Sequence, residues 1–337
     1  MALHKPPATR FAALEYPALR AAIFSVKYGP GENGFLLLTG KQARAPRAYV
    51  SGVATGDFPD PRLNRLAGVC SSSKITPDRV EFHCFVGTGS MWSDDKAGEI
   101  FAHLKTYDAL IMTVDNGHEA EDLISRLVLT DLEALERAEP KMKKLVAAGV
   151  EPQEKLQLIK DMASHLELGK PLSEMRLTKE QKNLMAGYGL ITLKPSVLVL
   201  PTGDVPGFNT VNADIGLALE LAQADPEEAE EMRRELAIED PIPGIFKALY
   251  RAAGLIHFFT LGPKEAREWP VRQGALAPEA AGKIHSDMRD RFIRALVADW
   301  KDVIEAGGWE AAKKAGVART QGKNYQVQDG DVLEILF

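Results

Sequence analysis

An apolar run that stops on a cluster of glycines constrains this chain more than any other feature. Ala21 to Tyr28 (AAIFSVKY) reads as a buried strand, and Gly29-Pro30-Gly31-Glu32-Asn33-Gly34 follows at once. A strand that delivers a glycine-rich loop is a device of α/β layers, where backbone N–H groups can close on an anion. Further strand candidates are Tyr49 to Ala54, Arg79 to Val86 and Tyr107 to Val114, with helical spacing from Asp94 to Lys105. Ser196 to Leu200 (SVLVL) and Ile215 to Leu221 read as the closing strands of this layer.

The pattern changes in between. Leu123, Leu127, Leu132 and Leu135, then Leu156, Ile159, Met162 and Leu166, recur at helical spacing in a charged background. This predicts a helical hairpin turning at Gly149-Val150-Glu151-Pro152. Asp225-Pro226-Glu227-Glu228 starts a helix well, with a capping acid, a first-turn proline and acids near the positive end of the dipole. After Gly254 short strands return: His257 to Leu261, Trp269 to Arg272, Ile293 to Ala298, Tyr325 to Val327 and Val332 to Phe337. Short helices are expected over Ala277 to Ile284 and Trp300 to Ala306, and Gln328-Asp329-Gly330-Asp331 has Asp-Gly hairpin chemistry. Short mixed strands around one helix suit a β-grasp.

Bulk properties narrow the function classes. Hydrophobic residues are 45% and charged residues 26%, and no apolar run approaches the roughly 20 residues that span a bilayer. No signal-peptide core opens the chain, and Cys70 and Cys84 are too few for a disulfide framework, so a cytoplasmic location and no membrane are expected. The net charge of −6 argues against a protein that coats nucleic acid, and no DNA partner is expected. The first 70 residues are basic, with Lys5, Arg10, Arg20, Lys27, Lys41, Arg44, Arg47, Arg62 and Arg65; this lobe either faces RNA or is a solvated surface. The histidines (His4, His83, His103, His118, His165, His257, His285) show no metal-ligand spacing, so no metal is expected.

Motifs in the tail carry a resemblance. Phe258-Phe259-Thr260-Leu261-Gly262-Pro263-Lys264-Glu265-Ala266-Arg267-Glu268-Trp269, Gly274 to Gly282 (GALAPEAAG), Ile284-His285-Ser286-Asp287 with Arg291 to Ala295, and Gly322 to Val332 (GKNYQVQDGDV) occur in order. Together they resemble the ubiquitin-like TGS domain of YchF-type, Obg-like NTPases. Upstream, Pro59-Asp60-Pro61-Arg62-Leu63, Tyr107-Asp108-Ala109, Leu193-Lys194-Pro195 and Glu239-Asp240-Pro241 resemble segments of that family's G domain. The resemblance implies a Ras-like G domain over 1–117 and 194–253, an inserted helical domain over 118–193 and a TGS β-grasp over 254–337. It further implies ATP or GTP hydrolysis and association with ribosomes or another RNA–protein complex, and it marks His285 and Asp287 as candidates to face a partner, with a structural hydrogen-bonding role the alternative for His285.

The phosphate chemistry departs from that pattern. A P-loop needs lysine on the β/γ oxygens and a hydroxyl on Mg²⁺ after its second glycine. Gly29 and Gly34 have the right spacing, but Phe35 and Leu36 follow. Where the family has a switch aspartate this chain has Cys84, and Pro201-Thr202-Gly203-Asp204 stands where the base-reading Asn-x-x-Glu is expected. No catalytic residue, no Mg²⁺, and weak or absent ATP/GTP binding are therefore expected. Gly29, Gly31, Glu32, Asn33, Gly34 and Asp204 are the remnant that could still take an anion, and the alternative is an NTPase using a rearranged loop. The same loop also reads as G-x-G-x-x-G, but Pro30 fits a dinucleotide fingerprint poorly, and Asp57 is a weak ribose acid. Trp269, Trp300 and Trp309 either stack on RNA bases or pack in a core.

Overall fold

The computed structural model describes residues 19–24, 50–85 and 101–337. The chain divides into two compact units, one built mainly from 20–54 and 81–249 and the other from 55–80 and 250–337.

The first unit is layered on a six-stranded sheet. Its strands are β1 (Leu19–Phe24), β2 (Val50–Asp57), β4 (Arg79–Phe85), β5 (Ala109–Thr113), β6 (Ser196–Leu200) and β7 (Asn209–Asn212), in the order β2-β4-β1-β5-β6-β7. β1, β5, β6 and β7 run parallel, with Ile23 opposite Ile111 and Ile111 opposite Val197. Every residue of β5 and β6 is buried, which explains why ALIMT and SVLVL are continuous apolar runs rather than alternating ones.

The predicted hairpin is present. Helix α2 (Gly117–Ala147) starts on an Asn116 cap, and α3 (Gln153–Glu167) follows a turn at which Gly149 takes φ +68°. Leu123, Leu127, Leu135, Leu156, Ile159 and Met162 share one core with Leu110 and Leu198 of the sheet. A buried carboxylate ties the hairpin to the approach to β6: Asp131 accepts from Ile191 N at 2.8 Å and from Thr192 N and Oγ1, both at 2.7 Å. A short helix α4 (Lys179–Met185) precedes that approach, under a reciprocal Thr178–Gln181 cap.

One expectation is corrected here. Ile215 to Leu221 is helix α5 (Ile215–Gln223), not a strand. Asp214 Oδ1 caps Leu217 N at 3.0 Å, and Ile215, Ala218 and Leu221 are buried at three-residue spacing, so the apolar run is one helix face. The edge strand is β7, whose sequence NTVN carries no apolar alternation. Helix α6 (Pro226–Leu236) starts at the predicted Asp225 cap, and α7 (Pro241–Ala253) leads into the second unit.

The second unit is a mixed β-grasp sheet. Its strands are β8 (Leu255–Leu261), β9 (Ala266–Arg272), β10 (Arg294–Asp299), β11 (Arg319–Gln321), β12 (Asp331–Leu336) and β3 (Ile75–Thr76), ordered β11-β10-β12-β8-β9-β3. Successive residues of β8 point to opposite faces. Phe258 joins a core under helix α8 (Ala277–Ile284) with Ala277, Ala280, Ala281 and Phe292. Phe259 joins a second core with Leu63, Leu66 and Ala67 of α1 (Pro61–Cys70) and with Val303 and Trp309. Those last two sit on α10 (Trp300–Glu305) and α11 (Trp309–Lys314), and a five-residue helix α9 (Ser286–Asp290) follows α8.

Two further corrections concern the tail. Tyr325 to Val327 is not a strand; it makes a single bridge from Gln326 to Leu276, and its tyrosine turns inward to Asp331 Oδ2 at 2.8 Å. The Asp329-Gly330 turn is not a hairpin. It leads into β12, which lies between antiparallel β10 and parallel β8. Gly330 adopts φ +97°, which suits glycine, and its N–H donates to His257 O at 2.8 Å.

Candidate functional site

Open parallel sheets hold ligands beyond the carboxyl ends of their strands. In the first unit Gly29, Gly31, Glu32, Asn33, Gly34, Phe35 and Leu36, which follow β1 in sequence, lie outside the described residues. The flanking positions are described. Cys84 is fully buried near the end of β4. Beyond β5, Asn116 Oδ1 caps Glu119 N at 3.0 Å, and the Glu119 carboxylate returns to Asp115 N at 3.3 Å, so this loop is spent on starting α2. Thr113 Oγ1, at the last residue of β5, is buried and makes no hydrogen bond among the described residues. After β6, Pro201 is half-buried, Gly203 takes φ +110° and Asp204 is exposed.

These residues fit a Mg²⁺–nucleotide poorly. A buried thiol at Cys84 is no substitute for a carboxylate holding metal-bound water, and Pro201 has no amide with which to read a base edge. Lys194 is buried and its ammonium donates to Tyr107 O at 2.5 Å; burial pulls it down to about 8. It precedes β6, so it sits at the amino end of the strand, away from where a phosphate would lie.

In the second unit the predicted partner residues serve local structure. His285 Nδ1 accepts from Asp287 N at 3.2 Å and caps α9, and both side chains are exposed. The tryptophans pack. Trp269 Nε1 donates to Thr260 Oγ1 at 2.9 Å with the Arg267 guanidinium 4.0 Å from its ring centroid, and buried Trp309 donates to Glu334 at 2.6 Å. Part of the basic lobe is likewise committed inward: the Arg62 guanidinium holds Asp60 at 2.7 Å and Asp329 at 2.8 Å.

A buried polar cluster is what sequence reasoning missed. Asp60, His257 and Glu268 are each buried, and each offers a ligand atom within 4.8 Å of the others. Sequence spacing could not bring these three together, because they come from positions 60, 257 and 268. Asp60 caps α1, accepting from Arg62 N at 2.8 Å and from Nε at 3.0 and 2.9 Å. His257 projects from β8 against the rings of Phe58 and Tyr250, at 4.4 and 4.6 Å between centroids, and those two rings touch each other at 4.6 Å. Its Nε2 lies 3.3 Å from Asp78 Oδ2, the oxygen that accepts from the Tyr250 hydroxyl, and its Nδ1 lies 3.5 Å from Glu268 Oε1. Glu268 Oε2 accepts from Asp78 N at 3.1 Å, and the Glu268 carboxyl also hydrogen-bonds the Asp60 side chain.

Burial together with the charge of Asp60 pushes Glu268 up to about 9. Burial also acts to raise Asp60, but the hydrogen bonds and charge of Arg62 outweigh it and hold that carboxyl below its ordinary value. Burial beside Asp78 raises the Tyr250 phenol well above its usual range. The only available signal was that Asp60, Glu268 and Asp329 lie inside the family-like motifs.

A sheet in this order with β1, β5, β6 and β7 parallel, carrying an inserted helical hairpin and followed by a β-grasp unit, is the architecture of an Obg-type nucleotide-domain protein. Comparison with known proteins agrees. Residues 255–337 match the family model YchF-GTPase_C, described as a protein of unknown function (DUF933). The ribosome-binding ATPase YchF of Haemophilus influenzae is 30% identical over 317 residues, covering 83% of this chain and 87% of that protein. Obg-like ATPase 1 of Saccharomyces cerevisiae is 27% identical over 323 residues, covering 82% and 81%. The structure of the Schizosaccharomyces pombe YchF GTPase shares the fold, with a TM-score of 0.79 at 19% identity over 97% of this chain and 100% of that one. The chain belongs to the YchF family.

Proposed function

We propose that this YchF-family chain has lost NTP hydrolysis and acts as a cytoplasmic binding or regulatory protein at the ribosome or a related RNA–protein assembly. The observation that carries this reading is the buried Cys84 thiol in β4, where the family resemblance calls for a metal-positioning aspartate. Phe35 and Leu36 after the glycine loop, and Pro201 after β6, support it from two further segments. Each removes a different contact, and one charge-assisted phosphate contact alone is worth about 1.5–3 kcal/mol. The ribosomal assignment rests on the names of relatives such as the ribosome-binding ATPase YchF of Haemophilus influenzae.

The test is a titration of the full chain with fluorescent ATP and GTP, with and without Mg²⁺, alongside phosphate-release assays. Absent turnover and no Mg²⁺-dependent tightening are expected. Micromolar binding that collapses on Gly34→Val, together with measurable phosphate release, would establish the alternative of a rearranged-loop NTPase. Co-sedimentation with ribosomes over a salt series addresses the partner. Pelleting that weakens as salt rises is expected, and no pelleting even at low salt would overturn the ribosomal part.

A further inference from the structure

The second unit contains a donor set that neither the nucleotide fold nor its partner accounts for. Three distant segments converge on it: the start of α1 at Asp60, β8 at His257 and β9 at Glu268. We propose that Asp60, His257 and Glu268 bind one divalent first-row transition metal such as Zn²⁺, as a structural site that fastens α1 to the β8–β9 hairpin.

Geometry supports this at each ligand. The His257 Nδ1 to Glu268 Oε1 distance of 3.5 Å is close to the edge of about 3.4 Å expected of a tetrahedron with bonds of about 2.1 Å. All ligand atoms lie within 4.8 Å of one another, so binding requires side-chain contraction rather than movement of strands. Glu268 Oε1 lies in a fully buried side chain 3.5 Å from the histidine Nδ1, and the Glu268 carboxyl also faces that of Asp60 within hydrogen-bonding reach. Two facing buried carboxyl groups must share either a proton or a cation, and a divalent ion that displaces the proton would neutralise both. Asp60 keeps capacity as well. Its carboxylate takes three donor groups from Arg62, with Nε shared between both oxygens, and its remaining capacity is directed at the Glu268 carboxyl, the side on which an ion would stand.

The surroundings are those of a ligand shell. Metal-bound histidines usually donate their other ring N–H to a carboxylate, which fixes the tautomer. Asp78 stands in that relation, 3.3 Å from His257 Nε2, and is itself held by the Tyr250 hydroxyl. A proton on Nε2 leaves the Nδ1 lone pair directed at Glu268. Phe58 and Tyr250 pack on the imidazole and on each other, and His257 is buried. One imidazole with two carboxylates suits Zn²⁺, Co²⁺, Mn²⁺ or Fe²⁺. It suits Mg²⁺ and Ca²⁺ less, because they prefer oxygen alone, and thiolate-seeking Cu⁺ less still.

The experiment uses the full chain after chelator treatment and dialysis. Zn²⁺ is titrated calorimetrically, and Co²⁺ is followed by its visible d–d absorption. Expected are one ion per chain with micromolar or tighter affinity, Co²⁺ bands of low-coordinate intensity, and a higher melting temperature with Zn²⁺. His257→Gln and Glu268→Gln should each weaken binding by about 100-fold or more, and Asp78→Asn by about 10–100-fold. Either no Zn²⁺ heat and no Co²⁺ absorption at millimolar metal, or binding equal in the parent and both glutamine variants, would overturn the site. The parent's Co²⁺ spectrum decides the matter even if one variant fails to fold.

Discussion

Asp131→Ala offers a sharp test of how the helical hairpin is fastened to the sheet. Asp131 is fully buried on α2 and accepts from the main-chain N–H groups of Ile191 and Thr192 and from the Thr192 hydroxyl. Alanine leaves both N–H groups buried without a partner, at about 1–3 kcal/mol each. The hydroxyl costs less, because Thr192 Oγ1 still accepts from Leu172 N at 3.1 Å. Against this, alanine is a better helix former than mid-helix aspartate by roughly 0.5 kcal/mol. The balance is a loss of about 2–5 kcal/mol in the first unit. Urea unfolding followed by far-UV circular dichroism measures it, since α2 and α3 contribute much of the helical signal. Hydrogen exchange at Ile191 and Thr192 should quicken in step. A variant as stable as the parent, or more stable, would refute the reasoning, because it would mean that propensity alone governs this position.

Other consequences concern the second unit. Glu268 has a folded pKa of about 9 against an ordinary 4.5, so the stability it contributes is full below about 4.5 and is lost as pH rises through about 9. In chelator, melting temperature should therefore fall across that window more steeply for the parent than for Glu268→Gln; parallel curves would contradict the assignment. Gly330→Ala places a Cβ 2.6 Å from Trp300 Cδ1 at φ +97°, and should destabilise this unit by about 2 kcal/mol or more in thermal melts. His285→Ala removes the cap of α9 and should cost about 0.5–2 kcal/mol. If ribosome pelleting falls while the melting temperature holds, His285 contacts the partner directly.

Much of the architecture was legible because it rests on local periodicity. Ser196 to Leu200 is a strand with the predicted bounds, Ala277 to Ile284 a helix with the predicted bounds, and Gly149 turns the hairpin as read. Ile215 to Leu221 misled because a short apolar run fits a buried strand and a helix face equally well, and the Asp214 cap settles which. Asp204, His285 and Asp287 were singled out through motifs, but a motif does not reveal that all three are exposed or that His285 Nδ1 accepts from Asp287 N.

By itself the sequence determined the class of fold, the order of its parts and the family, since glycine loops, helical periods and ordered motifs are short-range signals. Tertiary structure alone decided that residues 55–80 belong with the β-grasp. There α1 covers the face that Phe259 presents, and β3 pairs with β9. It alone decided that Asp60, His257 and Glu268 meet. About 200 residues separate the first from the others, so no spacing could announce them. They meet because Pro61 and the Asp60 cap start a helix whose apolar side must be buried, and the second face of this sheet buries it.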